Sequence, residues 1–387
     1  MKNVNRAALD QWMQPLFGGD TVRNESVMFI DKGDVKELLY PIDKILSVTS
    51  YDCTKTYVDG VDYEVVDGKL KATENTTMPI ITGEVYYNYT SPEPEVRIQV
   101  DGKDLFWGEY MTQPYQVNVT YTHKTAWEGY AQACRRDVFD VFIKKLEAGE
   151  DVTVLFCGDS ITYGANSSWL ADDFPKIYPY TLLFTHALAD LYGYTVRYED
   201  YSHLELPIFE TCPRVPAEHY VAGTRGTITY VNTAMGGWAT FHGVEHKQLH
   251  LCEPVATHGC DLLVLAFGMN DIIVDPTVHT REMIDTVLSI KPDAAVAVVS
   301  TMVPNPTSNW DNAQRHQEPY LLDLAEQMRG EGKQVAVACM TSVSNAVLEK
   351  KTFNDYTGNN INHPNDFMCR LYAQTILQTV IGYENMQ

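Results

Sequence analysis

Apolar and polar positions alternate in two different rhythms along this chain. In residues 1 to about 125, short runs alternate with a period of two: "KILSVTSYD", "YEVVDG", "GEVYYNYT", "EVRIQVDG" and "YQVNVTYTH". They are rich in β-branched and aromatic residues, and the intervening "VDGVDY", "VDGK" and "SPEPE" are turn signals. No apolar stripe of helical spacing competes. The pattern predicts an all-β, jelly-roll-like antiparallel sandwich over residues 1–128.

The rhythm changes near Trp127. Val138, Val141, Phe142 and Leu146 are spaced for one helix face, and Gly149 supplies a stop. Continuous apolar runs follow: "VTVLFC", "GTITYVNTA", "DLLVLAFG", "AAVAVVSTM" and "QVAVACM". Helical patterns are predicted at 178–191, 244–251, 279–289, 319–329, 341–350 and 366–380. Apolar strands alternating with helices predict a parallel sheet covered on both faces over residues 129–387. Such sheets bind ligands beyond the carboxyl ends of their strands.

Four polar segments stand where that rule looks. Gly158-Asp159-Ser160 follows the first strand, "NTAMGGW" (232–238) the second and "GMND" (268–271) the third, while "NNINHPND" precedes the last helix. Ser160 supplies a hydroxyl, which needs an adjacent base to become a nucleophile, and His363 is the candidate. The Ser160 and Gly237 N–H groups and the Asn270 amide are candidate donors to an oxyanion. Thr162 stands where an α/β-hydrolase elbow has glycine, and no Gly-Lys-Ser/Thr of a phosphate loop follows.

These four ordered segments resemble the sequence blocks of the SGNH (GDSL-type) hydrolase superfamily. The resemblance covers residues 150–387. It implies a flavodoxin-like three-layer α/β/α fold, with Ser160 as nucleophile, His363 as base, and Ser160, Gly237 and Asn270 as the oxyanion hole. It implies no metal or organic cofactor. A preceding β-sandwich is similar to one architecture among carbohydrate esterases, which remove acetyl groups from xylan- or mannan-type polysaccharides. Two other functions remain open: an esterase or thioesterase for longer acyl chains, and a glycan-binding protein without catalysis.

One position departs from the superfamily pattern, which has an acid three residues before the histidine. Here that residue is Asn360, whose amide can accept the imidazole Nδ1–H but carries no charge. Three arrangements are open. His363 is oriented by Asn360 or a backbone carbonyl; or Asp355 or Asp366 substitutes; or catalysis is lost.

Asp159 and Asp271 are expected to be structural. Trp238, directly after Gly237, is either a wall for a sugar ring or a core residue. His242, His246 and His250 share a helical spacing, but no HExxH pattern or carboxylate partner makes them a zinc site. The net charge of −22 disfavours nucleic acid and anionic membrane surfaces and fits a neutral substrate or solubility alone. No apolar run reaches a membrane span, and eight scattered cysteines without a CxxC pair fit a cytoplasmic protein. The role of the β half stays open between glycan binding, covering the active site and homo-oligomer contact.

Overall fold

In the computed structural model, residues 12–89, 99–100, 103–204, 212–310 and 312–383 are described. The β half contains β1 (Thr21–Ile30), β2 (Val35–Lys36), β3 (Lys44–Ser50), β4 (Tyr63–Val66), β5 (Lys69–Ala72), β6 (Ile80–Ile81), β7 (Gln99–Val100), β8 (Lys103–Asp104) and β9 (Gln116–Thr122). A four-stranded sheet runs β3-β9-β1-β6, beside a three-stranded sheet β2-β5-β4 and the β7-β8 pair. The run "GEVYYNYT", expected as a strand, instead forms the short helix α1 (Gly83–Tyr87). The Thr82 hydroxyl accepts the Val85 N–H and caps it, a local bond that outweighs the alternating pattern. Of the expected strand "EVRIQVDG", residues 95–98 and 101–102 lie outside the described residues.

The second half is built as the apolar runs predict. Helix α2 (Asp140–Ala148) leads into β10 (Val152–Gly158), α3 (Ser160–Tyr163), α4 (Tyr180–Tyr192), β11 (Thr195–Glu199), β12 (Tyr220–Val221) and β13 (Thr227–Asn232). Then come α5 (Thr240–Glu245), α6 (Glu253–His258), β14 (Leu262–Ala266), α7 (Thr277–Ile290) and β15 (Ala295–Val299). The chain closes with α8 (Gln317–Gly330), β16 (Val335–Ala338), α9 (Met340–Leu348) and α10 (Asp366–Ile381). The sheet order is β12-β11-β13-β10-β14-β15-β16, parallel except for β12. The helix expected over 244–251 is broken: α5 ends at Glu245, and a π-helical turn over Gln248–Cys252 precedes α6.

Strand residues alternate between two cores. Val152, Val154 and Phe156 face a cluster with Phe142, Leu188 and Leu377, whereas Leu155 and Cys157 face one with Val255, Met283 and Leu324. Because both faces are covered, strands β10, β14, β15 and β16 are almost wholly apolar. β10 lies between β13 and β14, so the chain departs to opposite sides of the sheet there. That reversal opens a crevice at the carboxyl end of β10.

The first cluster does not stop at residue 128. It runs on through Val27, Phe29, Val119 and Tyr121 of the β half. Helix α10 is buried along its whole length, although it carries Arg370, Gln374 and Gln378. Those polar groups meet N-terminal backbone: Arg370 donates to the Arg23 and Asn24 carbonyls at 2.8 and 2.6 Å, and Gln374 to that of Gln14 at 2.8 Å. Full burial of each apolar side chain, such as Leu377, contributes about 1.5–3 kcal/mol. Lys351 and Glu25, both fully buried, pair at 2.7 Å across the same seam.

Candidate active site

Three loops meet at the carboxyl end of β10. Met235 N–H donates to the Gly158 carbonyl at 3.1 Å, which joins the loop after β13 to the serine turn. Asp159 caps α3, accepting the Ile161 N–H at 2.9 Å on one oxygen and the Met269 N–H at 3.3 Å on the other. Its second bond joins the loop after β14. Burial pushes the Asp159 pKa up to about 7, against these two hydrogen bonds. Because Asp159 is the cap, the Ser160 hydroxyl is released from that task, and only 7% of the residue is exposed.

Gly237 has φ of +73°, in the left-handed region that favours glycine. Asn270 Nδ2 donates one proton to the Trp238 carbonyl at 2.9 Å, which fixes its amide against the glycine loop. Asp271 turns away: its carboxylate accepts the Thr240 N–H at 3.1 Å and hydroxyl at 2.5 Å. The Trp238 ring is fully buried, among His242, His246 and His250. It therefore offers no wall to a sugar, which corrects the substrate-binding expectation in favour of a core role. His250 is also buried, its Nδ1 2.6 Å from the Thr233 carbonyl.

His363 is presented by a tight loop. The Asn359 side-chain oxygen accepts the N–H groups of Ile361, Asn362 and His363, each at 3.0 Å. Gly358 is needed because a Cβ there would lie 2.3 Å from the Asn166 Cβ. His363 Nε2 lies 2.8 Å from Ser160 Oγ.

The partner of the other ring nitrogen comes from the β half. Glu109 Oε1 and Oε2 lie 3.1 and 3.2 Å from His363 Nδ1. A carboxylate only accepts, so Nδ1 carries the proton and the Nε2 lone pair faces the serine. Asn166, with φ of +64°, secures this pairing. Its Oδ1 accepts the Tyr110 N–H at 2.7 Å, so its Nδ2 must face Glu109 and donates to Oε2. Desolvation raises the Glu109 pKa, but the His363 charge and hydrogen bonds from His363, Asn166 and Asn359 outweigh it and hold the carboxyl below its usual range.

Asn360 is not at the imidazole. Its Nδ2 donates to the Tyr86 hydroxyl and the Phe106 carbonyl at 3.0 and 2.7 Å, and its Oδ1 lies 3.3 Å from Asn305 Nδ2. With φ of +64°, its side chain departs toward the β half, so the expectation that it orients His363 is corrected. Asp355 instead pairs with Lys36 at 3.2 Å, and Asp366 accepts the Ser168 N–H at 2.8 Å. Sequence reasoning missed Glu109 and Asn166. Glu109 is one of 51 acidic residues, and nothing local to "FWGEYM" marks it.

A buried serine, its histidine and an acceptor-only carboxylate aligned in one relay are suited to acyl transfer. Solved structures of esterases are similar to this chain. A two-domain esterase active on acetylated mannans, co-crystallized with mannopentaose, aligns at 18% identity over 66% of this chain and 56% of its own, with a TM-score of 0.45. The Clostridium thermocellum family 3 carbohydrate esterase aligns at 15% over 61% and 98%, with a TM-score of 0.39. A peptidoglycan O-acetylesterase aligns at 10% over 66% and 99%, with a TM-score of 0.40. The match spans little more than half the length of the two-domain esterase. No family model matches the sequence, and no curated protein does. Among the described residues, no helix is long and apolar enough to cross a membrane, and no three His, Cys, Asp or Glu side chains gather to hold a metal ion.

Proposed function

We propose that this chain is a serine ester hydrolase that removes acetyl groups from acetylated oligo- or polysaccharide of the xylan or mannan class. The observation that carries the hydrolase reading is the Glu109–His363–Ser160 relay, with contacts of 3.1 and 2.8 Å. The acyl group and the saccharide rest on the resemblance of the four sequence blocks and of the preceding β half.

In this mechanism Ser160 Oγ attacks the ester carbonyl carbon as its proton passes to His363 Nε2. The Glu109 carboxylate holds the Nδ1–H and offsets the imidazolium charge. The Ser160 and Gly237 N–H groups and the second Asn270 amide proton receive the oxyanion. Collapse expels the sugar oxygen, which takes the proton from Nε2, and leaves an acetyl group on Ser160. Water then loses a proton to His363, attacks that ester and releases acetate. The test is hydrolysis of p-nitrophenyl acetate and acetyl release from acetylated xylo- and manno-oligosaccharides, followed by mass spectrometry. Activity abolished in Ser160→Ala is expected. A folded wild-type protein inert toward all three would refute the proposal.

A further inference from the structure

A cleft of about 290 Å³ lies where the two halves meet, apart from Ser160 and His363 themselves. One wall is the turn after β3 and the segment 110–114; the other is the loop carrying Ser168, Asp173 and Phe174. We propose that this cleft is a binding site for a neutral saccharide, which it holds by aromatic faces and carboxylate acceptors. The ligand chemistry is argued from the lining alone. Its role as a subsite for the polymer beyond the reacting ester rests on the hydrolase reading.

The lining specifies what the ligand must offer. Tyr51, Tyr110 and Phe174 supply aromatic surface, and Phe174 is 59% exposed, with the Lys176 ammonium 5.7 Å from its ring centroid. Such a face complements the C–H face of a pyranose, and ligand sites favour an apolar wall with a few fixed polar groups. Asp52 and Asp173 supply carboxylates, which accept protons from hydroxyls. Desolvation raises the Asp52 pKa, but hydrogen bonds from Ser50 and Thr54 outweigh it, so this group is ionised at neutral pH. Among the described residues, no Lys, Arg or His lines the cleft. Of the nearby cations, Lys176 pairs with Asp172 at 2.9 Å beside the Phe174 ring, so its charge is offset, and Arg214 donates to the Trp169 carbonyl at 2.6 Å. A phosphorylated or uronic ligand would meet two carboxylates in a chain of net charge −22. A hydroxyl-rich neutral ligand meets carboxylate acceptors, the Ser50 and Ser168 hydroxyls and aromatic faces.

The cleft is coupled to the relay through its own wall. Tyr110 follows Glu109 directly, and its N–H holds the Asn166 oxygen. Gln113 Nε2 donates to the Asn166 carbonyl at 3.1 Å. A saccharide resting on Tyr110 therefore lies against the segment that delivers Glu109 to His363.

The test uses Ser160→Ala, which leaves the cleft intact and cannot turn over. Calorimetric titration with mannopentaose, xylopentaose and pentagalacturonate is expected to show binding of at least one neutral pentasaccharide and none of the uronate. Phe174→Ala in that background should weaken the neutral ligand at least tenfold, with an unchanged circular dichroism spectrum. Asp52→Asn should also weaken it. Absence of neutral binding, equal binding after Phe174→Ala, or uronate binding of similar strength would overturn the proposal. Hydrolysis of p-nitrophenyl acetate by the wild type needs no saccharide, so it reports on the hydrolase reading separately.

Discussion

Replacing Glu109 by Gln removes one negative charge 3.1 Å from His363 Nδ1. At that separation a unit charge pair is worth about 5 kcal/mol at an effective dielectric of about 20, and about 1.3 kcal/mol in bulk water. The Glu109 side chain is 53% exposed, which places the site between those limits. After discounting for solvent screening, the imidazolium formed during attack loses about 2–4 kcal/mol of stabilisation, or about 30- to 1000-fold in kcat. Gln adds a second defect. Its single oxygen cannot serve His363, Asn166 and Asn359 together, so an amide N–H meets another donor. The assay is steady-state hydrolysis of p-nitrophenyl acetate, with thermal unfolding as a control. The expected signature is a fall in kcat with KM little changed, because the charge acts on the transition state. Turnover within twofold of wild type would refute the reasoning and leave Ser160 and His363 as a dyad.

Asn270→Ala removes a proposed oxyanion donor and should lower kcat on the same ester by about 10²–10³, with KM nearly constant. Asn360→Ala should act on stability. It leaves the Tyr86 and Phe106 bonds unmade in a fully buried site, and the chemical-denaturation free energy should fall by about 2–4 kcal/mol. Lys351→Met strands the fully buried Glu25 charge and should cost about 3–5 kcal/mol, measured the same way. The Asp159 pKa of about 7 lies above the unfolded carboxyl value. The folded state therefore binds the extra proton, and this group's contribution to stability falls as pH rises from about 4 to 7. Comparing melting points of wild type and Asp159→Asn across that window should show a flatter profile in the variant; identical slopes would refute the assignment.

The parts of the fold that were legible in sequence are those whose signal is local. Strands β10 and β14 to β16 are mostly apolar because helices cover both faces, and β13 is rich in β-branched and aromatic residues, so β10 and β13 to β16 could be placed from their own residues. Ser160, Gly237 and Asn270 follow those strands, and the sheet order then brings their loops together. Strand β11, which lies between the short edge strand β12 and β13 and carries exposed Arg197, lacked that signal and was missed. Helix α1 was missed because its alternating apolar residues imitate a strand, while its Thr82 cap is a single local bond.

The chain's own order of residues determined the alternating α/β half, its serine turn and its histidine loop, since periodicity and turn chemistry act over a few residues. Tertiary structure alone decided the partner of His363. Glu109 stands 254 positions away and arrives from the β half. Asn360, three residues before the histidine, has a left-handed backbone that sends its amide to Tyr86 instead. Trp238 was decided in the same way. Its place after Gly237 is local, but its burial among three histidines depends on how α5 and the π-helical turn close over the sheet. A charge acts through space, so no pattern along the chain can say which of many carboxylates the fold will bring within 3.1 Å of an imidazole.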